Sequence, residues 1–233
     1  MLKALLWKEW REQQWRVALA TVWLFGLTAI GLKTRILPDA AILVLVWGPA
    51  AIILPVFLGI GLFASERRAG TLSYLMVHPV GRGQVLVAKV LVGLLAYVAP
   101  AVIGGIAICL GVGGREISSA RLADGLVEMV GLGVLLFAWQ LFAGLRCRRE
   151  ETYILISAIV LGCWAIHALV VDEWRLVENV GFWLWAINPF AVANLDYAKP
   201  GEIWTIATLQ SLSLAGLGCG LWLRFRNLRE GRS

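Results

Sequence analysis

The chain has 233 residues, 60% of them apolar and 15% charged, with a formal net charge of +6. A soluble domain carries about 25% charged residues. At a mean hydropathy of +0.79 the chain has too little polar surface for a soluble globule or a disordered polymer. Nor does the basic balance point to nucleic acid, because Lys and Arg fall in short clusters between long apolar runs and line no single solvated face.

In chain order, residues 1–14 predict an amphipathic helix lying in the inner membrane interface. Leu2, Leu6, Trp7 and Trp10 share one helical arc, with Lys8, Glu9, Arg11, Glu12 and Arg16 opposite them. The indoles would sit in the acyl boundary and the charges in water. Apolar runs follow at 15–32, 41–64, 90–112, 126–145, 152–171 and 203–223. About 20 helical residues cross a hydrocarbon core of roughly 30 Å, and the runs lack the alternation of barrel strands. The predicted fold is an all-α integral membrane domain over residues 1–233, with six transmembrane helices.

The charges between the runs set the orientation. Fifteen of the 21 Lys and Arg lie at the N-terminus, in the second and fourth loops and in the C-terminal tail; six lie in the alternate loops. The positive-inside rule then places both termini in the cytoplasm. Of the four cysteines, Cys109, Cys163 and Cys219 fall within spans and Cys147 in a cytoplasmic loop, without metal or redox spacing. They read as small packing residues. Trp174, Trp183, Trp185 and Trp204 cluster around the outer loop, 172–202. Trp7, Trp10, Trp15 and Trp222 lie near the inner boundary, so the tryptophans read as an aromatic belt.

Pro49, Pro55 and Pro100 predict kinks, and Gly59/Gly61, Gly104/Gly105, Gly131/Gly133 and Gly216/Gly220 offer small-residue packing faces. Glu128, at the outer start of the fourth span, is a candidate intramembrane polar residue, although Asp124 one turn away also suits a solvated helix end. His78 and His167 are isolated, and no metal or catalytic constellation is present in the sequence.

The connection at 65–89 is too long for a turn. Gly70 and Thr71 offer a break and an N-cap, and Leu72, Leu75 and Met76 repeat at helical spacing. Pro79 ends that short helix, Gly81–Gly83 turn the chain, and Gln84 onward re-enters the membrane. A short helix bracketed by breaks at the cytoplasmic mouth has the form of a docking element.

Here the residues resemble a family. Glu66, Gly70-Thr71, Leu75, Pro79-Val80, Arg82 and Lys89 are similar to the pattern E-x(3)-G-T-L-x(2)-L-x(3)-P-V-x-R-x(6)-K of ABC-2-type transporter permeases. Leu5-Leu6-Trp7-Lys8-Glu9-Trp10 resembles that family's interfacial elbow helix, and Asn188-Pro189-Phe190 its re-entrant outer segment. The resemblance implies a permease subunit of an ATP-driven exporter in the cytoplasmic (inner) membrane. It also implies two membrane subunits, the second a copy of this chain or a homologous permease, above two cassette ATPases. Glu66, Gly70, Thr71, Leu72, Leu75, Met76, Pro79 and Arg82 would dock the ATPase, and Leu6, Trp7 and Trp10 would form the elbow. Glu66 would pair with a basic group of the elbow or of the cassette. Because no Gly-x(4)-Gly-Lys-Ser/Thr phosphate loop occurs, the chain is expected to be no enzyme. ATP and Mg would belong to the partner, with no cofactor on this chain. Membrane lipid would be a further partner. A haem- or maturation-factor permease and a non-transporting scaffold or mechanotransmitting partner of a cytosolic ATPase fit the same layout, and a drug, peptide or lipid-linked substrate is equally open.

Overall fold

The computed structural model describes residues 2–34, 43–64, 66, 69–70, 81–112, 119–147, 149–174, 186, 188–192 and 200–226, and the regular elements among them are all helical. α1 spans Leu2–Thr34. A composite second stretch follows, with a π-helical turn at Leu43–Trp47, α2 at Gly48–Gly59 and a second π-helical turn at Ile60–Ala64. Then come α3 (Arg82–Val112), α4 (Ser119–Arg146), α5 (Glu150–Trp174), a 3₁₀ turn over 189–192, and α6 (Pro200–Arg226).

Four of these helices contain stretches long and apolar enough to cross a membrane, at Arg82–Ile106, Asp124–Arg146, Glu150–His167 and Gly201–Arg226. Leu45–Gly59 is a shorter apolar helix. The first expected span lies inside α1 and the second corresponds to the composite stretch; neither belongs to that set of four.

Two boundaries depart from expectation. The elbow expected over 1–14 is not separate among the described residues, because α1 runs from Leu2 to Thr34 without a break. No glycine or proline occurs before Gly26 to interrupt it. The third helix begins at Arg82 and not at residue 90. The Gly81 carbonyl accepts from the amides of Gln84 (2.8 Å) and Val85 (3.3 Å), which closes the first turn there, and Val85, Leu86 and Ala88 are already buried. The residues from Gly81 to Gly83, expected to turn the chain, thus lead straight into α3.

The core lies between α1, the composite stretch, α3 and α4, and α1 packs most extensively on α3. Leu24, Leu54, Leu58, Leu62, Phe63, Tyr97 and Phe137 form its centre. Close approach depends on Gly93, where an added Cβ would fall 2.5 Å from Phe137 Cζ and 2.6 Å from Leu62 Cδ1. Gly104 meets Trp47 and Gly131 meets Val192, whereas Gly216 faces open space and contributes no packing face. α5 stands apart: Ile154, Leu155, Ile159 and Ile166 point outward. Cys163 and Cys219 are likewise exposed and, unlike buried Cys147, do not pack as expected.

Because Phe137 and Leu62 cannot both yield, Gly93→Ala should lower stability by about 1–3 kcal/mol. Thermal unfolding in detergent measures this, with Gly216→Ala as the near-neutral control.

Candidate functional site

Charged residues on a membrane helix are tolerated where they face the bundle and pair. Where the start of α1, the end of the composite stretch and the start of α3 meet, five such residues converge. Lys89, on α3, is fully buried (0% exposed) amid Val85, Leu86 and Ala88. Its Nζ donates to Glu9 Oε1 (3.0 Å) and Oε2 (2.9 Å) on α1 and pairs with Glu66 Oε2 (2.8 Å). Both hydrogen bonds thus go to the Glu9 carboxylate and the contact with Glu66 is an ion pair, while the Phe63 ring lies 5.8 Å from the same ammonium. Lys8 completes the group: its Nζ reaches Glu66 Oε1 at 2.8 Å, Glu12 Oε1 at 3.1 Å and Glu9 Oε1 at 3.3 Å.

Glu9 is 1% exposed and Glu66 5%. Neither could remain charged there alone, since an isolated buried carboxylate is strongly disfavoured. Together with Lys8 and Lys89 they form a set of zero formal charge, to which the more exposed Glu12 adds one negative charge. Burial by itself would lower the Lys8 pKa. The hydrogen bond to Glu66 and the charges of Glu9 and Glu66, with help from Glu12, outweigh it and push that pKa up. Glu9, Glu12 and Glu66 each bring a carboxylate oxygen within 4.8 Å of the others. The ammonium groups of Lys8 and Lys89 already stand among them as counter-charges, so the arrangement is an ion-pair network.

This network reverses the expected face of α1. Glu9 was expected in water; it points inward on one stripe with Leu5, Gln13, Ala20 and Leu24, all buried. Trp7 is 66% exposed and Trp15 is exposed too, while Leu6 and Trp10 are half-buried. The reason is that the inner face of α1 holds the charged partners of Glu9, so the polar side chain turns inward and the indoles are left outside.

Of the residues expected at the docking element, Glu66 lies in the network and is paired with Lys8 of the N-terminal segment. Gly70 is exposed with φ +71°, a left-handed conformation that ends a helix and favours glycine. Thr71, Leu72, Leu75, Met76 and Pro79 lie outside the described residues. Arg82 donates to the Arg226 carbonyl (2.9 Å) at the C-terminal end of α6, where a cation also suits the helix dipole. Beside it, Gly83 leaves room for Trp222: an added Cβ would fall 2.8 Å from the indole. Glu128 is 9% exposed and so is not at a solvated helix end.

On the opposite side Asn188 organises a second, uncharged cluster. Its Nδ2 donates to the Trp164 carbonyl (3.0 Å) and lies 2.9 Å from His167 Nδ1, and its Oδ1 accepts from the Phe190 amide (3.0 Å). Gln210 on α6 donates to the Ala186 (2.7 Å) and Asn188 (3.0 Å) carbonyls. His167 is therefore tied to the outer segment.

Sequence reasoning missed Lys8 and Glu9 as inward residues and left Lys89 as a loop residue. The available signal was Lys89 itself, a lone charge inside the run Val85-Leu86-Val87-Ala88-Lys89-Val90-Leu91-Val92. A lone charge in such a run requires a buried partner.

Residues 7–171 match the family described as ABC-2 family transporter protein. The chain belongs to that family. It is a membrane-embedded transporter subunit with multiple spans, and the match covers the ion-pair network, α2 to α4 and almost all of α5. No curated protein matches it.

Lys89→Met would leave two buried carboxylates without their shared cation and should cost about 3–5 kcal/mol. Combining it with Glu9→Gln and Glu66→Gln should recover most of that loss. Thermal unfolding of the single and triple variants in detergent measures the non-additivity.

Proposed function

We propose that the chain is the permease subunit of an ATP-driven exporter, coupled to a separate cassette ATPase through the segment between Glu66 and Arg82. The observation that carries this reading is the ion-pair network, because it closes the base of that segment. Glu66 and Lys89 lie 23 positions apart in sequence yet pair at 2.8 Å. Both are tied to α1 through Glu9 and Lys8. A push on the intervening residues would therefore be delivered to three helices at once. The break at Gly70 supports a separate short helix after it, carrying Thr71, Leu72, Leu75 and Met76 and ended by Pro79.

In this reading the chain has six spans with both termini in the cytoplasm and lies in the inner membrane. It pairs with a second copy of itself and works with two ATPase subunits, which hold ATP and Mg. The unbroken α1 takes the place of an elbow: its first turns, with Leu6, Trp7 and Trp10, lie at the cytoplasmic interface and continue into the first span. The substrate is set by neither the network nor the outer cluster.

Leu72→Asp together with Leu75→Asp should weaken co-purification of the cassette ATPase by more than about tenfold, as removal of two desolvated leucines predicts. Permease abundance in the membrane should be unchanged. Normal ATPase binding by this variant would overturn the docking assignment. ATPase activity in reconstituted vesicles that never responds to any exported solute would favour a scaffold.

A further inference from the structure

The buried residues of the composite stretch follow an unusual spacing. Ala50, Leu54, Leu58, Leu62 and Glu66 are all buried, at every fourth position. In an α-helix each four-residue step overshoots a full turn by about 40°. Four such steps would carry the stripe round by roughly 160°, and Glu66 would face away from Ala50. The π-helical turn at Ile60–Ala64 takes one extra residue into the helix and sets the chain back by about 100°. That correction aims Glu66 at Lys89.

The Val56 carbonyl, just before the π turn, still accepts from the Ile60 amide, and side chains from two other helices donate to it and to the Phe57 carbonyl. The Tyr153 hydroxyl, on α5, donates to the Val56 carbonyl at 3.2 Å. The Arg16 guanidinium, on α1, donates to the Phe57 carbonyl at 3.1 Å and lies 5.2 Å from the centre of the Phe57 ring. Tyr153 is fully buried. Its hydroxyl fills the space beside Gly59 where any Cβ would collide with it.

We propose that Tyr153 is a positioning residue for the ion-pair network: by holding the Val56 carbonyl it keeps the turn at Ile60–Ala64 in its π register, and that register keeps Glu66 on Lys89. Loss of the grip lets the turn relax to an α-helix and rotates Glu66 out of the network. α5, otherwise loosely packed, thereby acquires a direct hold on the base of the 66–82 segment. The consequence for transport rests on the coupling reading above; the register itself does not.

The test is acetylation of lysines in the purified full-length chain by an N-hydroxysuccinimide ester, read by peptide mass spectrometry without any ATPase present. In the native protein exposed Lys3 reacts readily and buried Lys89 is protected. Tyr153→Phe should speed Lys89 acetylation by about fivefold to tenfold, the change one buried hydrogen bond makes in a local opening equilibrium. Lys3 should be unaffected. Gly59→Ala, which displaces the hydroxyl, should act likewise. Deleting Gly61 removes the extra residue, so a regular α-helix then aims Glu66 correctly; in that background Tyr153→Phe should have no effect on Lys89. Continued protection of Lys89 in both Tyr153→Phe and Gly59→Ala would overturn the proposal. So would an equal rise with and without the deletion, because Tyr153 would then be acting only through packing. Failure of the docking reading would leave all of these rates unchanged.

Discussion

Lys89 has no exposure to solvent, and its ammonium group can be buried only where carboxylates meet it. That requirement shapes the half of the molecule around it. Desolvating these charges is costly, and a buried ion pair offsets the cost only when its geometry is nearly complete. The set is divided among three helices, so α1, the composite stretch and α3 must hold fixed heights and rotations relative to one another. Small displacements break several contacts together. The apolar core above supplies most of the buried area, but apolar side chains can slide and repack, whereas this charged base admits one arrangement.

The two ends of the bundle use different chemistry. At the end that holds Lys89 the contacts are ionic and shared between helices. At the other end Asn188, Gln210 and His167 hold the 186–192 segment through neutral hydrogen bonds. The Asn188 amide has little freedom: the Trp164 carbonyl can only accept and the Phe190 amide can only donate. Its NH₂ must therefore face His167 Nδ1, and that nitrogen serves as the acceptor. Neutral groups suit a segment close to the hydrocarbon, where an unpaired charge has no counterpart.

Much of this was legible in the sequence. The presence and order of α3, α4, α5 and α6 followed from continuous apolar runs, and the break at Gly70 followed from the need for a left-handed residue. That Glu66 pairs with a basic residue of the N-terminal segment was also foreseeable. The facing of α1 was not. A helical projection groups side chains by polarity, and in a soluble protein the apolar group would point inward. Trp7 and Trp15 point outward here, and Glu9 points inward because its counter-ions are there. The π turn was equally hidden, since residues 50–64 are apolar on every face and periodicity cannot distinguish a four-residue spacing from an ordinary one. Lys89 was assigned to the preceding loop because the eye ends a span at a charge; the backbone, started by the Gly81 carbonyl, does not.

The division of the network among helices also bears on how the protein is made. The chain emerges in order, so Glu9 and Lys8 arrive with α1 and Glu66 with the end of the composite stretch. At that stage the carboxylates of Glu9, Glu12 and Glu66 share one ammonium group, that of Lys8, and their burial is incomplete. Only when α3 is synthesised does Lys89 bring the second cation. The association of the first two helices is thus provisional until the third joins them. A nascent chain halted before residue 89 lacks the charge that would let its first helices settle, and the membrane insertion machinery would be holding an unfinished group in place of a folded hairpin.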